Sequence, residues 1–267
     1  MTLATQRLAD DGFCVVEGVL DANEVADARA RLVAAATESE RRGIPTFMSV
    51  LDPNEKNVRV FNLLDLDPVF LQLIAHPCAL ALVRSLLGEG FLISNFTANI
   101  ALPGSRSMNL HSDQALVIPE PWLEPWAVNI IWCLDDVREV NGATRYVPQS
   151  HRYTRHAEVP ADALARSRPF GASAGSIIAM DGRMWHTSGE NVTESEERAL
   201  LFGYYTADFI RPQTNWNVML SEATKASLAP ELVEWLGLGP GGNTRRGSFV
   251  ARSLDKGGNV GNGEGRT

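Results

Sequence analysis

The sequence predicts an α+β fold in which an antiparallel β core, closed as a barrel or a double-sheet jelly roll, is flanked by helices. Three observations predict it. Between about residues 91 and 206, short apolar or alternating segments recur, each ended by Gly, Pro, Asn or Asp. The first third carries apolar residues at helical spacing. Short helical stretches return over 217–226 and 229–236. The number of strand-like segments suits a barrel or jelly roll.

In chain order, Gly12-Phe13-Cys14-Val15-Val16 reads as a buried strand after a helical opening. Asp21 is placed to cap a helix in which Val25, Ala28, Leu32 and Ala35 share one face; Gly43 and Pro45 end it. Residues 44–60 read as a loop or irregular strand. Asp67-Pro68 starts a helix, with Asp as cap and Pro at the first helical position. Pro77 opens another, closed by Gly88. Phe91 to Leu102 is strand-like and turns at Pro103-Gly104-Ser105. Pro119, Pro121 and Pro125 forbid a regular helix over 115–127. Val128 to Leu134 reads as a buried strand and Ala143 to Val147 as another. Gly175 to Met180, bounded by Asp181-Gly182, reads as the first arm of a hairpin that resumes at Met184-Trp185-His186. Arg198 to Thr206 is a further strand. Residues 1–238 form one domain in this reading. The Gly-rich tail 239–267 has too little apolar surface to fold alone and is expected to be mobile.

The 267 residues carry 45% hydrophobic and 21% charged side chains, as soluble domains do. The net charge of −8 leaves no basic field to hold nucleic acid or an anionic membrane. No basic segment precedes an apolar run near the start, and no span approaches 18 apolar residues, so the chain reads as cytoplasmic, without a transmembrane helix. Cys14, Cys78 and Cys133 are widely spaced among apolar neighbours and read as free thiols rather than a zinc knuckle.

The chemistry centres on His111-Ser112-Asp113. In an extended strand, residues two apart point to one side, so His111 and Asp113 can aim at one point. Of the five histidines, His186 is the one that ends a strand and precedes a polar run, Thr187-Ser188-Gly189-Glu190-Asn191. His111, Asp113 and His186 would make two imidazoles and a carboxylate. That set suits non-haem Fe(II) and leaves positions open for co-substrate and O2. Zinc accepts the same donors, so a cupin-type metal hydrolase or isomerase is the alternative. Arg198, 12 residues after His186 across a turn, discriminates. A hairpin would return its guanidinium to the site, where it can hold a remote carboxylate in bidentate fashion. A surface ion pair with Glu194 or Glu197 is the plainer role for it.

Together, His111-x-Asp113, Asn141-Gly142-Ala143-Thr144, Val147-Pro148-Gln149-Ser150-His151, His186-Thr187-Ser188-Gly189 and Arg198 resemble the phytanoyl-CoA dioxygenase family of Fe(II)/2-oxoglutarate-dependent oxygenases. The resemblance spans roughly residues 5–238. It implies a double-stranded β-helix, the cupin-like jelly roll, flanked by helices. It implies Fe(II) on His111, Asp113 and His186, with 2-oxoglutarate and O2 as co-substrates. The far carboxylate of 2-oxoglutarate would meet Arg198, helped by Thr144 and Ser188, with Trp126 as a pocket aromatic and Asn99 as a hydrogen-bonding group. Oxidation of a substrate C–H bond would accompany release of succinate and CO2. Related halogenases replace the carboxylate ligand by a small residue; Asp113 keeps it, which favours hydroxylation or another oxidation.

Phe47, Met48, Phe61, Leu116, Ile118, Trp122 and Trp126 suggest a mostly apolar small molecule as substrate, such as a terpenoid or polyketide skeleton, with Lys56 or Arg59 for a polar group. A protein or nucleic-acid substrate has no support in the sequence. The chain is expected to act as a monomer or homodimer.

Overall fold

The structure is a computed structural model that describes residues 2–241. The tail expected from residue 239 lies, but for its first residues, outside that range. The chain opens with helix α1 (Thr2–Asp11), strand β1 (Phe13–Val16) and the long helix α2 (Ala22–Arg41). Asp21 and Glu24 close a capping box around the start of α2. Ala28, Leu32 and Ala35 face inward as their spacing requires. Strand β2 (Asn57–Val60) ends the irregular stretch, and helices α3 (Pro68–Ile74) and α4 (Pro77–Leu87) follow, both with Pro in the first turn. Among the described residues no single helix is long and apolar enough to cross a membrane.

The core strands are β3 (Phe91–Ala101), β4 (Ala127–Cys133) and β5 (Arg145–Tyr146). After the short helix α5 (Ala163–Arg166) come β6 (Arg168–Pro169), β7 (Ile177–Asp181), β8 (His186–Thr187) and β9 (Arg198–Ala207). They form a six-stranded sheet, ordered β1-β7-β4-β9-β3-β2, and a three-stranded sheet, ordered β6-β5-β8. Every pairing is antiparallel. This is the jelly roll with flanking helices. Three short helices close the described chain: α6 (Trp216–Met219), α7 (Glu222–Ser227) and α8 (Pro230–Trp235). The stretch expected as one helix over 217–226 is two, because the Ser221 side chain caps a fresh start at Thr224 N.

Strand β4 shows why its sequence is almost wholly apolar. Val128, Ile130 and Trp132 enter the large core shared with the helices, while Ile131 and Cys133 enter a second core between the sheets. Both faces are covered, so neither alternates with polar residues, except at Asn129.

The hairpin expected at Asp181-Gly182 does not form. Strand β7 pairs with β1 and β4, whereas β8 pairs with β5 in the other sheet. The turn, closed by Met184 N–H on Asp181 O at 2.9 Å, is a corner where the chain changes sheets. Gly182 is needed there, since a Cβ would lie 2.6 Å from Ala127 Cβ. Strands β8 and β9 also lie in different sheets, so Arg198 comes to the cavity it shares with His186 from the opposite sheet, not along a hairpin.

His76 caps α4: its Nδ1 accepts from Cys78 N–H at 3.2 Å, and its ring stands edge-on to Trp132. The cap requires an unprotonated ring. Burial pushes the His76 pKa below its ordinary value, against a weaker pull from Glu24. The unfolded chain takes up that proton near pH 6.5 and the folded chain resists it. Stability from this group is complete above about pH 6.5 and is lost as pH falls toward the lower folded value. His76→Asn keeps a capping acceptor without a titrating ring. It should flatten the rise of stability between about pH 5 and 7 in denaturant titrations; an unchanged slope would contradict the cap.

Candidate active site

The two histidines are placed by the backbone. His111 N–H donates to His186 O at 3.0 Å and His186 N–H to His111 O at 2.8 Å, an isolated antiparallel bridge that sets the rings side by side. Ring centroids lie 4.4 Å apart. Each Nδ1 meets a carbonyl two residues back: Asn109 O at 2.9 Å for His111, Met184 O at 3.0 Å for His186. A carbonyl accepts only, so both Nδ1 atoms carry the proton and both Nε2 lone pairs are free to bind a metal.

Asp113 is not on a strand. It lies in a turn, and its place beside His111 comes from hydrogen bonds rather than from strand alternation. Ser112 Oγ and Gln114 N both donate to Gly182 O, at 2.9 and 2.8 Å. The Gln114 side chain ties the turn to Glu124 O and Trp126 N. Asp113 Oδ1 then sits 3.6 Å from His111 Nε2 and 3.8 Å from His186 Nε2, and all three donor atoms lie within 4.8 Å of one another. Burial would raise the Asp113 pKa, but His186, His111 and Asn129 outweigh it and hold it at about 2. Burial lowers His186, Asp113 only partly offsetting it. At His111 burial also lowers, and Asp113 reverses the sign to a raised pKa. An ionised carboxylate and two aligned imidazoles form a site that prefers a cation.

Arg198 is fully buried in the same cavity. Its Nη2 donates to Gly142 O at 2.7 Å and its Nη1 to Asn99 Oδ1 at 3.3 Å, while Nε finds no protein acceptor among the described residues. No carboxylate of the described residues, Glu194 included, pairs with it, and Glu197 meets Arg29 instead; with Arg198 only 1% exposed, the surface ion pair is ruled out. Burial lowers its pKa to about 10, which leaves it charged at neutral pH. Gly142, at φ +87°, lets the chain close on it: a Cβ there would stand 3.2 Å from Gly189 O and 3.5 Å from Arg198 Nη2. A buried cation without a counter-charge is unfavourable unless a ligand supplies the anion.

The cavity, about 250 Å³, joins these groups. Thr144, Ser188 and Asn99 line it with Arg198, as expected from the sequence, and so do Arg59, Phe61 and Leu116. Arg59 is clamped by buried Asp52 through contacts of 2.5 and 2.8 Å. Trp126 does not line the cavity; it packs edge-on against Phe209. Trp122 and Ile118 do not either. Trp122 is buried beside Trp185 and donates its indole N–H to Ile118 O at 2.7 Å. Phe47, Met48 and Lys56 also fall outside the lining, to which the loop before β2 sends Leu51 instead. Sequence reasoning missed Asn95, Thr97, Asn129, Phe202, Tyr204 and Gln213 in the wall. The signal was present: Asn95, Thr97 and Asn99 alternate along β3, and Asn129 is the single polar residue of β4.

The donor set fits the iron of a two-histidine, one-carboxylate centre, and the buried guanidinium of Arg198, without a carboxylate among the described residues, fits the far end of a dicarboxylate. The family model for phytanoyl-CoA dioxygenase matches residues 8–199. The chain belongs to the phytanoyl-CoA dioxygenase family. Enzymes of this family use Fe(II), 2-oxoglutarate and O2, so the chain is a non-haem iron dioxygenase and the hydrolase alternative falls away. A dioxygenase of Aspergillus fumigatus, af480, is 48% identical over 247 residues, covering 92% of this chain and 80% of the relative. The dioxygenase cdmA of Talaromyces verruculosus is 25% identical, covering 87% of this chain and 81% of the relative. Two solved structures share the fold of this dioxygenase. The α-ketoglutarate-dependent epimerase SnoN is 22% identical with a TM-score of 0.64, over 79% of this chain and 83% of SnoN. HygX of Streptomyces hygroscopicus, with nickel and 2-oxoglutarate bound, is 17% identical with a TM-score of 0.64, over 79% and 89%.

Proposed function

We propose that this dioxygenase oxidises, in the simplest case hydroxylates, a C–H bond of a small, largely apolar metabolite while 2-oxoglutarate is converted to succinate and CO2. The observation that carries the reading is Arg198: a buried guanidinium without a carboxylate partner among the described residues, in one cavity with His111, Asp113 and His186.

His111 Nε2, Asp113 Oδ1 and His186 Nε2 would hold Fe(II). Arg198, with Asn99, Thr144 and Ser188 beside it, would hold the far carboxylate of 2-oxoglutarate. Bound Fe(II), 2-oxoglutarate and O2 supply the oxidant. The protein's own task is to orient the substrate and keep water away from the reacting carbon. Phe61, Leu116, Ile131, Met180 and Phe202 provide apolar wall for that purpose. Arg59, neutralised by Asp52, offers directional N–H groups to a substrate oxygen without adding net charge. HygX is known with nickel, 2-oxoglutarate and hygromycin B bound, and SnoN with Fe3+, α-ketoglutarate and nogalamycin RO. Both pair a metal with 2-oxoglutarate and a small molecule, which supports a small-molecule substrate here.

The test is a screen of purified protein with Fe(II) and ascorbate against a metabolite library, read as succinate release. Succinate formed in step with an oxidised product is expected. Failure to bind 2-oxoglutarate, with no succinate from any compound, would overturn the proposal.

A further inference from the structure

Asn129 breaks an otherwise apolar strand. Its neighbours Val128, Ile130 and Trp132 point to the helix side, while Asn129 shares the other face with Ile131 and lines the cavity. Its Nδ2 donates to Asp113 Oδ2 at 3.2 Å. The orientation of the amide is not arbitrary, because an ionised carboxylate only accepts, so the NH2 end must face it. The carbonyl end is then buried, and no donor of the described residues reaches Oδ1. An unsatisfied buried acceptor is unfavourable, and an apolar side chain of similar size would avoid it. The residue is only 8% exposed, so solvent does not explain the amide.

The two oxygens of Asp113 have separate surroundings. Oδ1 faces both imidazole Nε2 atoms, at 3.6 and 3.8 Å, and Oδ2 faces Asn129. An octahedral metal on two imidazoles and one carboxylate oxygen keeps three positions open. A 2-oxoglutarate held at two points would take two of them and leave one for O2. If both oxygens of Asp113 reached the metal, that last position would be taken.

We infer that Asn129 is a positioning residue that holds Asp113 Oδ2 away from the metal, so that Asp113 gives one oxygen and a position stays open for O2, while its own carbonyl accepts from a donor brought into the cavity by a ligand. This rests on the metal site proposed above. Asn129→Leu removes both hydrogen-bonding ends and keeps the bulk. Nitric oxide is the probe for the open position, because its adduct with an Fe(II) centre has a distinctive electron paramagnetic resonance signal.

The Leu variant, loaded anaerobically with Fe(II) and 2-oxoglutarate, is expected to keep its metal and co-substrate. It should lose nitric oxide affinity by about tenfold or more, the scale of outer-sphere effects on metal sites. Should leucine prevent folding, Asn129→Ser, which is too short to reach Oδ2 in the same way, carries the same expectation for nitric oxide. Equal nitric oxide affinity in wild type and variant, or lower thermal stability with an unchanged signal, overturns the inference and leaves Asn129 a purely structural residue. A wild-type protein that forms no nitric oxide adduct with Fe(II) and 2-oxoglutarate overturns the metal site itself.

Discussion

Arg198→Ala is expected to weaken 2-oxoglutarate binding by roughly 30- to 4,000-fold. That range corresponds to the 2–5 kcal/mol lost when one partner of a buried charge pair is truncated. Iron retention should stay close to wild type, because Arg198 contacts Asn99 and Gly142 and none of the metal-site side chains. Arg198→Lys retains the charge but not the planar fork, and should fall between the two. Titration of 2-oxoglutarate into Fe(II)-loaded protein, with metal content measured alongside, reads all of this. Parallel loss of iron and 2-oxoglutarate would make Arg198 a structural residue of the site.

His186→Ala is expected to lower Fe(II) affinity by on the order of 100-fold or more, at least as much as outer-sphere changes produce, because it removes a direct donor. The backbone bridge between residues 111 and 186 needs no imidazole, so the fold should survive. Metal analysis after desalting reads the result: near-empty protein with wild-type circular dichroism. Wild-type iron content in the variant would remove His186 from the centre. Turnover should vanish with the metal.

Much of this could be read in the chain because local chemistry decides it. The starts of α2, α3 and α4 follow from Asp21, Asp67-Pro68 and Pro77, each a short-range device that tertiary contacts do not override. The grouping of His111, Asp113, His186 and Arg198 was legible from their order as a family pattern, although strand alternation and a hairpin were the wrong reasons for it. The true reasons, a two-residue bridge and a turn hooked onto Gly182 O, are long-range and leave no periodic trace.

The pocket wall was harder to read. A tryptophan on a Pro-rich loop has the same sequence signature whether it faces a ligand or the core. Trp122 and Trp126 went to packing, and the wall was built from β3, β4 and β9 instead. Which face of those strands looks into the cavity depends on which neighbours cover the other face. That is set by sheet order, which has no local signal. The local clues were the polar alternation Asn95, Thr97, Asn99 along β3 and the isolated asparagine of β4, since a single polar residue inside a two-sided apolar strand must meet something polar.

The most direct measurement is anaerobic calorimetric titration of 2-oxoglutarate into metal-free and Fe(II)-loaded protein. If one cavity holds metal and co-substrate in contact, the two bind with positive coupling: one equivalent of 2-oxoglutarate should bind the loaded protein about tenfold tighter or more than the metal-free protein. Equal affinity with and without Fe(II), or no binding to either, would contradict a shared site at His111, Asp113, His186 and Arg198.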